Sequence, residues 1–128
     1  MSNVPEDLLY TESHEWVKVE GKNARMGITD YAQEALTEIV NIDFAVEPGT
    51  VVEKGKAIIV LDSVKSSNEV YAPVSGKVVE LNEGLKNELE NINKDPYGKG
   101  WLAVIEMTNP SETNGLLDAN AYKKLIQQ

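Results

Sequence analysis

No cysteine occurs in the 128 residues, so the chain has no disulfide staple, no thiolate nucleophile and no Cys-built metal site. Any sulfur redox chemistry must come from something attached to it. Basic residues are also scarce. Twelve Lys and Arg against 21 Asp and Glu leave a formal net charge of -9, which favours solubility and opposes contact with a phosphate backbone. Nucleic acid is therefore not an expected partner. The lone histidine, His14, lacks a paired cysteine or a catalytic set, and its expected role is structural or in docking. No apolar run approaches the roughly 20 residues that a bilayer crossing needs. Residues 1–10 lack the basic and hydrophobic regions of a signal peptide. The expectation is a cytoplasmic protein with no membrane contact. The length fits one domain with a single modest core, spanning 1–128, with 111–128 as a C-terminal helical appendage.

What the chain does contain is a series of short strand patterns punctuated by Gly, Pro and Asn. Trp16 to Val19 and a second run ending at Ile28, separated by Gly21, predict a hairpin. Ala32, Ala35, Leu36 and Ile39 recur at helical spacing, with Asp30 as the expected cap and Gln33 as its reciprocal partner. Strand patterns follow at Ile39–Phe44, Ala57–Leu61, Glu69–Tyr71, Lys77–Leu81 and Leu102–Met107, which together predict a β-sandwich or flattened barrel. The run AIIV is apolar at every residue and is expected to lie centrally between layers. EPGTVVEKG leading into AIIVLDS and APVSG leading into KVVELNEG are distantly alike, through either an internal duplication into similar half-sheets or coincidence. Near the end, Asp118 is expected to cap a last helix with an apolar edge of Tyr122, Leu125 and Ile126, and Lys123 and Lys124 suit its C-terminal end.

Between two of these strand patterns lies DSVKSSN, whose small and polar residues suit a surface reversal with Lys65 projecting from it. Most turn lysines are simply solvated amines. A lysine on a rigid hairpin nevertheless meets the needs of a covalent carrier, because enzymes can reach both the amine and its neighbours without disturbing a core. Acylation there would remove the charge and lengthen the arm. Trp16 and Trp101 read as packing anchors, and Pro96, Gly98 and Gly100 read as turn residues that position the last strand. No residue is assigned to catalysis or to a metal.

The blocks YTESHEWVKVEG, GITDYAQEAL, DSVKSSNEVYAPVSGKVVELN, NKDPYGKGWL and LLDANAYKKL together resemble the glycine cleavage system H protein family over nearly the whole chain. A lysine turn alone is shared with the lipoyl domains of 2-oxoacid dehydrogenases and with biotinyl domains. Biotinyl domains usually present Met-Lys-Met, whereas this chain has Val64-Lys65-Ser66. The resemblance implies a mainly β fold: a flattened lipoyl/biotinyl-type barrel of two small antiparallel sheets, with short flanking helices. It also implies a non-catalytic carrier, with lipoic acid attached to Lys65 as N6-lipoyllysine and Asp62, Ser63, Val64 and Ser66 read by a lipoyl-attaching enzyme.

The implied partners are a PLP-dependent glycine decarboxylase, a tetrahydrofolate-dependent aminomethyltransferase and dihydrolipoamide dehydrogenase, served by a monomer. In the family the loaded arm folds into a groove, and the matching positions are Ser13, Glu15 and Glu69. On this reading the two carboxylates would hold the cationic amine. There are departures from the family pattern. Asp62 stands for the usual glutamate, Glu69 for aspartate, Thr37 for glycine, and Ser66 and Ser67 for Ala and another small residue. These keep two alternatives open: a lipoyl relay or specialised lipoyl carrier serving other complexes, and an unmodified β-domain with a binding or structural role.

Overall fold

The first apolar runs do build a hairpin. In the computed structural model, which describes residues 2–128, β1 (Leu9–Tyr10) pairs with β2 (Glu15–Glu20), and β2 turns at Gly21 into β3 (Asn23–Ile28). Trp16 lies opposite Gly27, where an added Cβ would come within 2.7 Å of the indole nitrogen. The glycine is what lets the ring lie flat on the neighbouring strand.

Helix α1 (Asp30–Leu36) corrects one expectation. Its cap is Thr29, which has extended backbone angles and whose hydroxyl accepts from the Ala32 amide. Asp30 is already the first helical residue, and its carboxylate accepts from the Gln33 side chain instead. The periodicity overran the helix by one contact, since Ile39 begins β4 (Ile39–Phe44). Thr37 stops the helix with φ 66 and ψ -153, a region populated almost only by glycine.

The remaining elements are β5 (Val51–Val52), β6 (Ala57–Ser63), β7 (Ser67–Tyr71), β8 (Gly76–Leu81), α2 (Glu90–Lys94), β9 (Ala103–Met107) and α3 (Ala119–Leu125). Short 3₁₀ turns occupy Glu83–Asn87 and Pro110–Gly115. Two antiparallel sheets result, ordered β1-β2-β3-β9-β8-β5 and β4-β6-β7. This is the expected lipoyl/biotinyl-type architecture with short flanking helices. The two distantly alike segments lead into strands of different sheets, β6 in the three-stranded and β8 in the six-stranded. The elements that pattern reading missed, β1, β5 and α2, have two, two and five residues, too short to show a period.

AIIV forms the middle strand of the smaller sheet, between β4 and β7. A register shift between Ala57 and Ile59 lets the consecutive Ile58 and Ile59 both be fully buried. Most of the core is one cluster that includes Val17, Met26, Ile59, Leu61, Val78 and Ile105. A second cluster gathers Val4, Leu8, Tyr10, Trp16, Ala119 and Tyr122. Adjacent residues on β2 thus serve different cores, Val17 on one face and Trp16 on the other, as strand alternation requires.

The C-terminal helix is held in this second cluster. Asp118 caps it by accepting from the Ala121 amide at 2.8 Å, and the Tyr122 ring stacks on Tyr10 with centroids 4.6 Å apart. Leu125 was expected on the apolar edge but is 45% exposed, because Tyr122 makes the contact and the helix ends at Leu125. Trp16 anchors the 96–100 turn by donating to the Pro96 carbonyl at 2.9 Å. Gly100 passes so close to the Asn91 carbonyl that a Cβ would lie 2.6 Å from it. Trp101 is only partly buried and lies beneath the Arg25 guanidinium, 4.9 Å from the ring centroid. Among the described residues no helix is long and apolar enough to cross a membrane.

Candidate functional site

Strands β6 and β7 close around Lys65 through the pair Asp62–Ser67. Within the reversal, the buried Ser63 hydroxyl accepts from the amides of Lys65 at 3.3 Å and Ser66 at 3.1 Å, and the Ser63 amide donates to the Ser66 carbonyl at 2.8 Å. A serine used in this way replaces the backbone acceptors that a tight turn lacks. The Val64 amide donates to the Glu38 carbonyl at 3.0 Å, tying the turn to the segment before β4. Ser66 accepts from the Asn68 side chain at 2.7 Å. Lys65 itself is exposed and belongs to neither of the ion pairs found among the described residues. Beside it, Asp62 accepts from the Asn41 amide at 3.1 Å. Hydrogen bonds from Ser67 and Asn41 hold its carboxyl below the usual aspartate range.

Ser13 and Glu15 meet in a groove of about 620 Å³. Its walls come from four separated parts of the chain: the β1–β2 connection, the Lys54–Gly55 turn, the end of β7 with Ala72 and Pro73, and residues 115–117. Glu15 is 2% exposed. One carboxylate oxygen accepts from the Thr11 hydroxyl at 2.5 Å and the Ser13 hydroxyl at 2.6 Å, and the other accepts from the Tyr71 amide at 3.3 Å. Burial pushes this carboxyl up, and the hydrogen bonds from Ser13, Thr11 and Tyr71 oppose the rise. A carboxylate in such a setting gains from a cation brought into the groove, because the low-dielectric surroundings strengthen the attraction.

Glu69 is not brought into this groove. It is exposed on β7, opposite Val60. It shares a strand face with Ser67 and Tyr71, so it lies between the lysine turn and the groove wall. Ser67 to Tyr71 spans about 13 Å at the usual strand rise. Thr11, Glu12, Lys54, Tyr71 and the 115–117 wall line the groove but were not singled out from the sequence. Thr11 had a usable signal, since it lies in the same block as Glu15, four residues before it. The C-terminal wall had none. It is held by paired backbone bonds between Tyr10 and Leu117, both 2.8 Å, a contact between distant parts of the chain.

His14 lies between the two groove residues in the left-handed region, φ 72, where histidine is more common than most side chains. Its Nδ1 is 2.9 Å from the Tyr122 hydroxyl, which is in turn 2.7 Å from the Thr29 hydroxyl. Burial holds the imidazole below its ordinary value. The ring joins α3 to the groove segment.

Two antiparallel sheets that display a lysine at the tip of a tight hairpin, beside a groove with a buried carboxylate, define a carrier domain of the lipoyl/biotinyl type. Within that class the assignment is specific. Residues 8–128 match the family described as glycine cleavage H-protein, and the chain belongs to that family.

A glycine cleavage system H protein of Halalkalibacterium halodurans is 47% identical over 128 residues, covering 100% of this chain and 99% of that protein. One from Halorhodospira halophila is 48% identical over 127 residues, covering 98% and 97%. The crystal structure of a glycine cleavage system H protein from Mycobacterium marinum superposes with a TM-score of 0.88 at 33% identity, covering 98% of this chain and 100% of that one. The protein is therefore a lipoylated, non-catalytic carrier that shuttles aminomethyl and dihydrolipoyl groups in the glycine cleavage system.

Proposed function

We propose that Lys65 is the attachment residue, carrying lipoic acid in amide linkage as N6-lipoyllysine. The observation that carries this reading is the exposed lysine on a turn whose backbone is held by the buried Ser63 hydroxyl. An attaching enzyme thus meets a rigid target with a free amine. Asp62, Ser63, Val64 and Ser66 form the surface it reads. Ser63 acts by shaping the turn, and Val64, 62% exposed, offers an apolar contact next to the lysine.

When bound, the lipoyl group supplies the disulfide and dithiol chemistry that a chain without cysteine lacks. The chain's own residues position and protect. Ser13 and Thr11 orient the Glu15 carboxylate, which attracts a cationic amine into the groove. Glu69, on the strand between turn and groove, guides that amine electrostatically from its exposed position. The whole span 1–128 acts as one carrier domain, with the tail as a groove wall, working as a cytoplasmic monomer. The enzymes it serves are a PLP-dependent glycine decarboxylase, a tetrahydrofolate-dependent aminomethyltransferase and dihydrolipoamide dehydrogenase, after modification by a lipoyl-attaching enzyme. Tethering makes each transfer after docking a local encounter.

Intact and peptide mass spectrometry on protein made in a lipoate-supplied cell tests the attachment. A lipoyl adduct on Lys65 that is absent from Lys65→Arg is the expected result. A consistently unmodified Lys65 would overturn it as the attachment residue.

A further inference from the structure

A second concavity, of about 740 Å³, opens between the end of α1, the start of β4 and α2, and it shares no residue with the groove around Glu15. Ile39, Val40 and Leu89 give it apolar surface, and Val40 is 48% exposed. Glu34, Glu38 and Glu90 line it together with one lysine, Lys94. None of these charges belongs to the ion pairs found among the described residues, Arg25–Glu20 and Lys86–Glu83. The walls are held together by Asn93. Its amide donates to the Gln33 side chain at 3.0 Å and to the Thr37 carbonyl at 2.7 Å, and its oxygen accepts from the Ile39 amide at 3.0 Å. The concavity is therefore built and rigid, not a gap between loose segments.

It is also continuous with the lysine hairpin. The Glu38 carbonyl accepts the Val64 amide at 3.0 Å, and Val64, 62% exposed, carries the apolar surface on to Lys65. An enzyme that takes the Lys65 arm into its active site must cover the surface next to that residue. Here it meets an excess of carboxylates around exposed valines.

We propose that this α1–β4–α2 groove docks a cationic segment of an arm-receiving enzyme, with Lys or Arg side chains opposite Glu34, Glu38 and Glu90 and an apolar side chain against Val40 and Val64. The proposal rests on the carrier reading of Lys65 and adds where the partner holds on. Rim charges of one sign steer encounter and fix register, and the apolar contact at the centre supplies the desolvated anchor.

The test uses lipoylated full-length protein carrying Glu34→Gln, Glu38→Gln and Glu90→Gln together. A control carries Glu53→Gln, Glu80→Gln and Glu106→Gln, three exposed carboxylates elsewhere. Each set removes three negative charges, so bulk charge is matched. KM for the carrier is measured with each of the three arm-receiving enzymes at low and raised ionic strength. The groove set is expected to raise KM about tenfold for at least one enzyme at unchanged kcat and to flatten its salt dependence, while the control shifts KM less than about twofold. Equal shifts in the two sets, or no shift with any enzyme, overturn the proposal. So does self-association in sedimentation that the groove set abolishes, since the occupant would then be a second copy. Peptide mass spectrometry on the same samples separates the two readings. Modified Lys65 with unmoved KM sinks the docking surface alone, whereas unmodified Lys65 sinks the attachment reading of Lys65 and the docking surface with it.

Discussion

The lysine hairpin and the groove around Glu15 are built in opposite ways. The bonds to the Ser63 hydroxyl, the Ser66 carbonyl and the Ser66 hydroxyl that shape the hairpin's reversal all lie within residues 63–68. The groove needs residues near 11–15, 54, 71–73 and 115–117, held by contacts such as Tyr71 to Glu15 and Tyr10 to Leu117. A modifying enzyme can therefore recognise the hairpin as a local shape. Shelter for a loaded arm exists only once the fold has closed. Separating the two lets the chain present its amine openly while keeping a buried carboxylate elsewhere, and neither environment compromises the other.

Three substitutions sharpen that contrast. Glu15→Gln should have the largest effect, a loss of about 1–3 kcal/mol in urea unfolding, because a buried acceptor of three hydrogen bonds is replaced by an amide that cannot serve all of them. Its pH dependence follows from the raised carboxyl. The folded state binds the proton more tightly than the unfolded state, so the stability tied to protonated Glu15 is full below the ordinary glutamate value. That stability is lost as pH rises through the higher folded value. The advantage of wild type over Glu15→Gln should shrink across that window and then level off. Lipoylation of Lys65 should be unchanged, and slowed modification would count against the independence of the two regions.

Ser63→Ala comes next. Removing the hydroxyl leaves two turn amides without their acceptor, for a loss of about 1 kcal/mol, and should slow lipoylation in a timed mass-spectrometric assay. Groove properties, read by the pH profile above, should stay as they are. The smallest effect is expected at Thr37→Gly. Relief of the left-handed backbone should outweigh the greater freedom of glycine in the unfolded chain, for a net gain of about 1 kcal/mol or less. A thermal melt that falls instead would show that the Thr37 side chain, whose hydroxyl donates to the Leu36 carbonyl, stabilises the turn more than its backbone strains it.

The legible part of the site was the contiguous part. The reversal at DSVKSSN and the projecting Lys65 could be read because small and polar residues between two strand patterns have a local physical cause, whereas recognition roles for Asp62 and Ser63 came only with the family resemblance. Ser13 and Glu15 could be named only through the family resemblance, since a carboxylate at a strand start reads by itself as solvated, whereas Glu15 is buried here. Glu69 came from the same resemblance but lies outside the groove, on the strand leading to it. The helix cap was misplaced by one residue because Thr29 and Asp30 are both good capping types, and only the backbone angles choose between them.

From the sequence alone came the absence of thiols, the acidic surface, the run of short strands, the apolar middle strand and the lysine turn, all of which depend on composition or on neighbours within a few residues. Tertiary structure decided the rest. It set the division into six and three strands, closed the groove with the C-terminal wall, buried Glu15 against Tyr71, and tied His14 to Tyr122 and Thr29. Those features depend on which distant segments exclude water together, and a carboxylate's neighbours along the chain do not reveal which strand edge will cover it.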